Sequence, residues 1–193
     1  MSFLDEILRR KIREVEKVTE FIPLDWLRNR CASLAATASL REALAEGSPP
    51  RIIAEIKRAS PSRGILRPDL DAGLTAQQYM QAGAAAISVL TDGPGFQGGI
   101  EDLVKVRGTV NSMEDVNVPV LRKDFIVHPY QVWEARGSGA DAVLLIVAAL
   151  GEDKLTEMME EVGNAGMEAL VEVHDEDEMQ IALDAGARII GIN

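Results

Sequence analysis

Three times along this chain a helical stretch closes on a glycine directly ahead of an apolar run: Gln81-Ala82-Gly83-Ala84, Gly137-Ser138-Gly139-Ala140 and Asp184-Ala185-Gly186-Ala187. A glycine there ends a helix and turns the chain straight into a strand. The recurrence sets a cadence of βα units. Strands are expected at 52–56, 86–90, 119–125, 142–147, 169–174 and 188–193. Helices are expected between them, one carrying Ala76, Tyr79, Met80 and Ala82, then at 131–138, 154–165 and 176–185. Strict alternation implies a parallel sheet with right-handed crossovers. The choice lies between a doubly wound sheet and a (β/α)8 barrel. No glycine-rich dinucleotide fingerprint follows any strand, because the Gly93 to Gly99 loop is not GxGxxG.

Charged residues inside the strands decide for the barrel. In RIIAEIKRASPSRG a strand alternates its faces, so Ile53, Glu55 and Lys57 point one way and Ile52, Ala54 and Ile56 the other. Leu121, Lys123 and Phe125 share a face of the third strand, Leu170, Glu172 and His174 of the fifth, and Ile189, Gly191 and Asn193 of the sixth. In a barrel all of these lie toward the carboxyl ends of parallel strands, where such folds keep their chemistry. Two lysines and two glutamates sum to zero charge, which lets a pocket of low dielectric hold them. A solvated edge strand with a surface ion pair, or a structural ion-pair network, would carry the same residues.

The chain has 193 residues, 47% hydrophobic and 26% charged, enough for one globular domain with a sizeable core. Its net charge of -11 argues against general binding to nucleic acid or to an anionic membrane, so any anion site must be local. The single cysteine, Cys31, has no second Cys or His at metal-ligand spacing, which fits a reducing cytoplasm and no metal. The N-terminus lacks an apolar targeting core, and the longest apolar run, 142–150, is too short to span a bilayer. An amphipathic helix with Leu4, Leu8, Ile12 and Val15 on one stripe is expected at 2–19, and a second helical stretch at 24–44. Residues 1–48 thus form a helical extension, and 49–193 the barrel. His128 and His174 lack motif partners and read as structural; Trp26 and Trp133 read as helix-packing residues.

EIKRASPSRG, ISVLTD followed by FQGG, VPVLRKDFIVHPYQV, ADAVLLIVAAL, LVEVHDEDE and ARIIGIN resemble, in order and spacing, indole-3-glycerol phosphate synthase. The resemblance covers nearly the whole chain. It implies closure of the indole ring: conversion of 1-(2-carboxyphenylamino)-1-deoxyribulose 5-phosphate to indole-3-glycerol phosphate, with loss of carbon dioxide and water and no cofactor or metal. It implies that Lys123 is the general acid at the substrate carbonyl and that Lys57 pairs with the substrate carboxylate. Glu172 would stabilise positive charge on nitrogen and take part in the later proton transfer. Glu55 would orient the lysines, Asn193 would bond a substrate hydroxyl, and Ser60 would contact the phosphate. Phe96, Phe125 and Leu144 would wall the aromatic ring, although Phe125 and Leu144 suit plain barrel packing equally well. Gly95 and Gly99 stand where the family more often has an aromatic and a serine, which would loosen the second loop.

Six expected strands fall short of the eight the fold requires. The expectation is therefore of a chain cut after the sixth strand, inactive alone and self-associating through unpaired edges. A truncated, non-catalytic fragment is the alternative to the enzyme, and another phosphate-handling barrel a third possibility.

Overall fold

The computed structural model describes residues 3–113 and 116–193. Met1 and Ser2, where the expected extension and its first helix begin, lie outside the described residues. In order the elements are α1 (Phe3–Thr19), α2 (Leu24–Cys31), α3 (Leu40–Ala45), β1 (Ile53–Ile56), β2 (Ala59–Ser60), β3 (Gly64–Ile65), α4 (Ala72–Gln81) and β4 (Ala86–Leu90). There follow α5 (Ile100–Ser112), β5 (Val120–Lys123), α6 (Pro129–Gly137), β6 (Ala142–Ile146), α7 (Val147–Asn164), β7 (Glu168–Val173), α8 (Glu176–Asp184) and β8 (Ile189–Ile192). The class is α/β, with parallel strands and helices in alternation.

The chain forms two compact units, one of them made of Thr37–Asp124 with Ser138–Ala142. In it β1 pairs with β4 and β4 with β5, all parallel, in a register that sets Glu55 opposite Ser88 and Ser88 opposite Leu121. β4 is buried along its whole length, and Ile87, Val89, Val120, Leu103 and Val106 make the apolar layer between the strands and their helices. The layer has a polar tie at its base. Asp141, 4% exposed, accepts from Val120 N–H at 2.7 Å and from Ala38 N–H at 3.0 Å and pairs with Arg107. Arg107 in turn donates from Nε to the Gly139 carbonyl at 2.7 Å.

The other unit comprises the chain up to Ala36, Phe125–Gly137 and Val143–Asn193. Its strands run in the order β6-β7-β8, with Val171 opposite Ile190 and Glu172 opposite Gly191. Leu145, Val171, Leu155, Met158 and Val132 form its core. α2 packs on α6, where the Arg28 guanidinium lies 5.8 Å from the Trp133 ring and Glu161 accepts from both Arg28 and Trp133 Nε1, at 2.8 and 2.7 Å. Trp133 is thus a packing residue, whereas Trp26 is half exposed under Arg30.

Several local expectations are corrected. The buried face of α1 runs through Ile7, Lys11 and Val15 at i, i+4 spacing, and Ile12 is exposed. Lys11 can occupy that face because its apolar stem is covered while its amine reaches Glu14 at 3.4 Å. The stretch 24–44 is two helices. Between them the Ala35 carbonyl accepts from Arg136 and the Ala38 N–H goes to Asp141, so tertiary partners outcompete the helical ladder, and Ser39 caps the restart. The loop after β1 contains the antiparallel β2–β3 hairpin, and α5, with no counterpart in the expected helices, follows the second loop. α7 begins at Val147 and breaks at Gly151, whose φ of 68° only glycine adopts freely.

Truncating Asp141 to Ala would remove a buried carboxylate and leave a half-buried guanidinium and two backbone donors without their acceptor. Denaturant unfolding should show a loss of about 3–5 kcal/mol, the usual cost of breaking a buried ion pair from one side.

Candidate active site

Alternation along β1 leaves Ile56 only 2% exposed while Glu55 and Lys57 stay half-buried on the opposite face. The β1–β4–β5 register then brings Lys123 onto the face that carries Glu55. One carboxylate serves both lysines: Glu55 Oε1 pairs with Lys57, and Oε2 lies 3.4 Å from Lys123 Nζ. Two cations on one anion leave this cluster with a single net positive charge, set at the carboxyl ends of parallel strands.

The opposite face of β5 holds Lys123 in place. Its neighbours Arg122 and Asp124, 5% and 3% exposed, both reach Thr91 at the end of β4. Arg122 Nε donates to Thr91 Oγ1 at 3.1 Å, Thr91 Oγ1 donates to Asp124 at 2.6 Å, and Arg122 Nη2 donates to the same Asp124 oxygen at 3.1 Å. The Thr91 N–H bonds the Lys123 carbonyl at 3.1 Å. This buried network escaped the sequence reading, which followed inward-facing charges only. The signal was there in LRKDF, where Arg and Asp flank the lysine at odd spacing.

Lys57, Ser60 and Phe96 line one cleft of ≈ 620 Å³ together with Pro61, Arg63 and Leu66 from the hairpin. Its size suits a small polar ligand. The Ala59 N–H bonds the Phe96 carbonyl at 3.1 Å, which ties the first loop to the second. Arg58 braces the same region: it pairs with Asp102 on α5 and donates to the Leu70 carbonyl at 3.0 Å. The Asp102 hydrogen bond raises the pKa of Arg58 further. Gly95 takes φ +85°, and Gly99 is the extended residue before α5. The sterically indispensable glycine of this loop is Gly98, where a Cβ would overlap the Leu90 carbonyl.

In the other unit β7 presents Leu170 and Glu172 on one face and buries Ala169, Val171 and Val173 on the other. Glu172 Oε1 accepts from Asn193 Nδ2 at 3.0 Å, and the Asn193 N–H bonds the Val173 carbonyl at 3.1 Å, continuing the ladder past β8. His174 is not partnerless: it lies against Glu172 and Glu178. Leu144 is buried with its neighbours on both faces of β6, as packing alone would place it, and Phe125 is half-buried just past β5. Burial pushes the His128 imidazole below its ordinary value, with Lys154 adding to the effect, and pushes the Cys31 thiol up. Among the described residues no cluster of His, Cys, Asp and Glu could hold a metal, and no helix is long and apolar enough to cross a membrane.

A family model described as indole-3-glycerol phosphate synthase matches residues 4–193. The chain belongs to that family. Relatives of that name share 46% identity over all of this chain and 71% of the relative in Roseiflexus sp. (strain RS-1), and 53% over 93% of this chain and 68% of the relative in Parafrankia sp. (strain EAN1pec). Another, in Streptomyces coelicolor, is 46% identical over 100% of this chain and 69% of its own length. The relatives are longer than this chain. A solved chain titled "Native KDPGal structure" superposes with a TM-score of 0.49 at 17% identity, covering 76% of this chain and 61% of its own, too distant to bear on function. The fold is that of the family, the (β/α)8 barrel type, and the function is that of a carboxy-lyase of tryptophan biosynthesis.

Gly98→Ala should cost about 1–3 kcal/mol in denaturant unfolding, because the added methyl meets backbone that cannot swing aside. Gly99→Ser, where the neighbouring atoms belong to the flexible Glu101 side chain, should unfold within about 0.5 kcal/mol of the parent.

Proposed function

We propose that the cluster of Glu55, Lys57 and Lys123 acts on the anionic substrate 1-(2-carboxyphenylamino)-1-deoxyribulose 5-phosphate, with Lys123 as general acid. The observation that carries this reading is the shared carboxylate, which fixes two ammonium groups side by side. Attack of the aromatic ring carbon on the ketone builds negative charge on oxygen and positive charge on the amine. Lys123 donates the proton to the first. Lys57 pairs with the substrate carboxylate before it leaves as carbon dioxide and can serve as a second acid when water is lost. Glu172 stabilises the cationic nitrogen and handles the proton released in the dehydration, and Asn193 bonds a substrate hydroxyl. Ser60 contacts the phosphate from the cleft, and Phe96, Phe125 and Leu144 wall the ring. The reaction as proposed needs no cofactor.

The family and the absence of a membrane-crossing helix among the described residues support a cytoplasmic location. Residues 1–48 act as a helical extension ahead of a barrel that starts at 49. The 193-residue polypeptide self-associates: β1 and β8 are outer strands of their respective units, and Ile52, just before β1, and Ile192, the last residue of β8, are 58% and 81% exposed. Light scattering should give a mass above one chain; a clean monomer would remove this part of the proposal.

Lys123→Met keeps the length of the side chain and removes the proton. Steady-state kinetics should show kcat down by roughly two to four orders of magnitude with a much smaller change in KM. Wild-type turnover at saturating substrate would refute the assignment. Glu172→Gln should lower kcat far more than it lowers the unfolding midpoint, whereas a purely structural glutamate would show the reverse.

A further inference from the structure

β7 ends at Val173, and the chain turns through His174 into α8, whose cap Asp175 accepts the Glu178 N–H at 2.8 Å. That cap sets Glu178 in the first helical turn, facing back along the chain. Its Oε2 accepts the backbone N–H of His174 at 2.8 Å and lies 3.0 Å from His174 Nδ1. A carboxylate oxygen already taking an N–H offers only lone pairs, so Nδ1 is the protonated ring nitrogen. The neutral imidazole is then the Nδ1–H tautomer, and Nε2 keeps a free lone pair. Nε2 is 3.7 Å from Glu172 Oε1, the oxygen that Asn193 also bonds. This exceeds hydrogen-bond contact by less than an ångström, which a small ring rotation closes. Exposure rises along the line, from 14% for the Glu172 side chain to 42% for that of His174.

We propose that His174 is a proton relay that clears Glu172 to solvent. The inference rests on Glu172 being the group that receives the proton lost in the dehydration. Once Glu172 is protonated, its O–H bond breaks as the Nε2–H bond forms, and Glu172 returns to the carboxylate. The resulting imidazolium is stabilised by Glu178 through Nδ1–H, and the Nε2 proton then passes to water, so one proton moves from substrate to solvent and nothing is oxidised or reduced. Glu178 is the positioning residue: it selects the tautomer and aims the ring. The other charged groups of the same turn, Asp175, Glu176 and Asp177, lie on α8 and its cap.

Two measurements test this. The chain has two histidines, so ¹⁵N NMR of the labelled protein, assigned with His174→Gln, reads the His174 tautomer directly without any turnover. Neutral His174 should be the Nδ1–H form, and Glu178→Ala should shift it toward Nε2–H. A wild-type Nε2–H tautomer overturns the relay. In kinetics, His174→Ala should lose about ten- to a hundredfold in kcat with little change in KM. Added imidazole should restore part of that loss, and it should not restore Glu172→Gln. Circular dichroism confirms that each variant is folded, and His174→Gln serves in place of an unfolded His174→Ala. A kcat loss that imidazole leaves untouched, or no loss at all, overturns the relay while an impaired Glu172→Gln keeps the Glu172 assignment. Full turnover by Glu172→Gln instead removes the proton's source, and the reading of Glu172 fails with it.

Discussion

The carboxylate of Glu55 takes Lys57 on one oxygen and Lys123 on the other, and that division organises the unit around it. Two ammonium groups held so close repel, and a strand end lined with cations alone would be costly to fold. The shared anion removes most of that cost while leaving one positive charge for an anionic ligand. The arrangement depends on parity. Because side chains alternate across a strand, Lys123 can face Glu55 only if Arg122 and Asp124 face the other way, into a layer that excludes water. There they satisfy each other through Thr91, so the same network that makes the outer face tolerable also fixes the height of Lys123.

The second unit solves a different problem with the same geometry. Glu172 shares its face of β7 with Leu170 and, at the strand's start, Glu168, and its partners are drawn from the next elements along the chain: Asn193 just past β8 and His174 at the turn into α8. An amide and an imidazole can hold a carboxylate without neutralising it permanently. A lysine in their place would neutralise the carboxylate. The proposed division, acid work for the lysine pair and base work for the carboxylate, is matched by neighbours of suitable chemistry at each group.

The second loop shows how the frame is kept where the sequence is rich in glycine. Gly95 and Gly99 leave the second loop without side chains at two positions. The conformation of the second loop is nevertheless held by Gly98, by the Phe96 carbonyl bonded to Ala59 and by Arg58 on Asp102. Two ties from the segment after β1, one backbone and one ionic, thus stabilise a glycine-rich loop.

What the sequence determined by itself was whatever depends on short-range periodicity: the parallel α/β class, all six long strands to within two residues, and the grouping of Glu55 with the two lysines. Two-residue alternation needs no knowledge of distant partners, so inward charges at strand ends could be named from spacing alone. Only the tertiary structure decided what long-range pairing controls. Leu24 to Leu44 reads as one helix by propensity and is two because Arg136 and Asp141 claim its backbone. The α1 stripe runs through Lys11, whose stem is as apolar as its neighbours even though its head is charged. His174 has no motif partner in sequence, yet Glu178, four residues on, reaches it because a helix begins between them. In each case the deciding contact joins groups whose proximity exists only once the chain has folded, and no local pattern encodes which of the possible partners will be there.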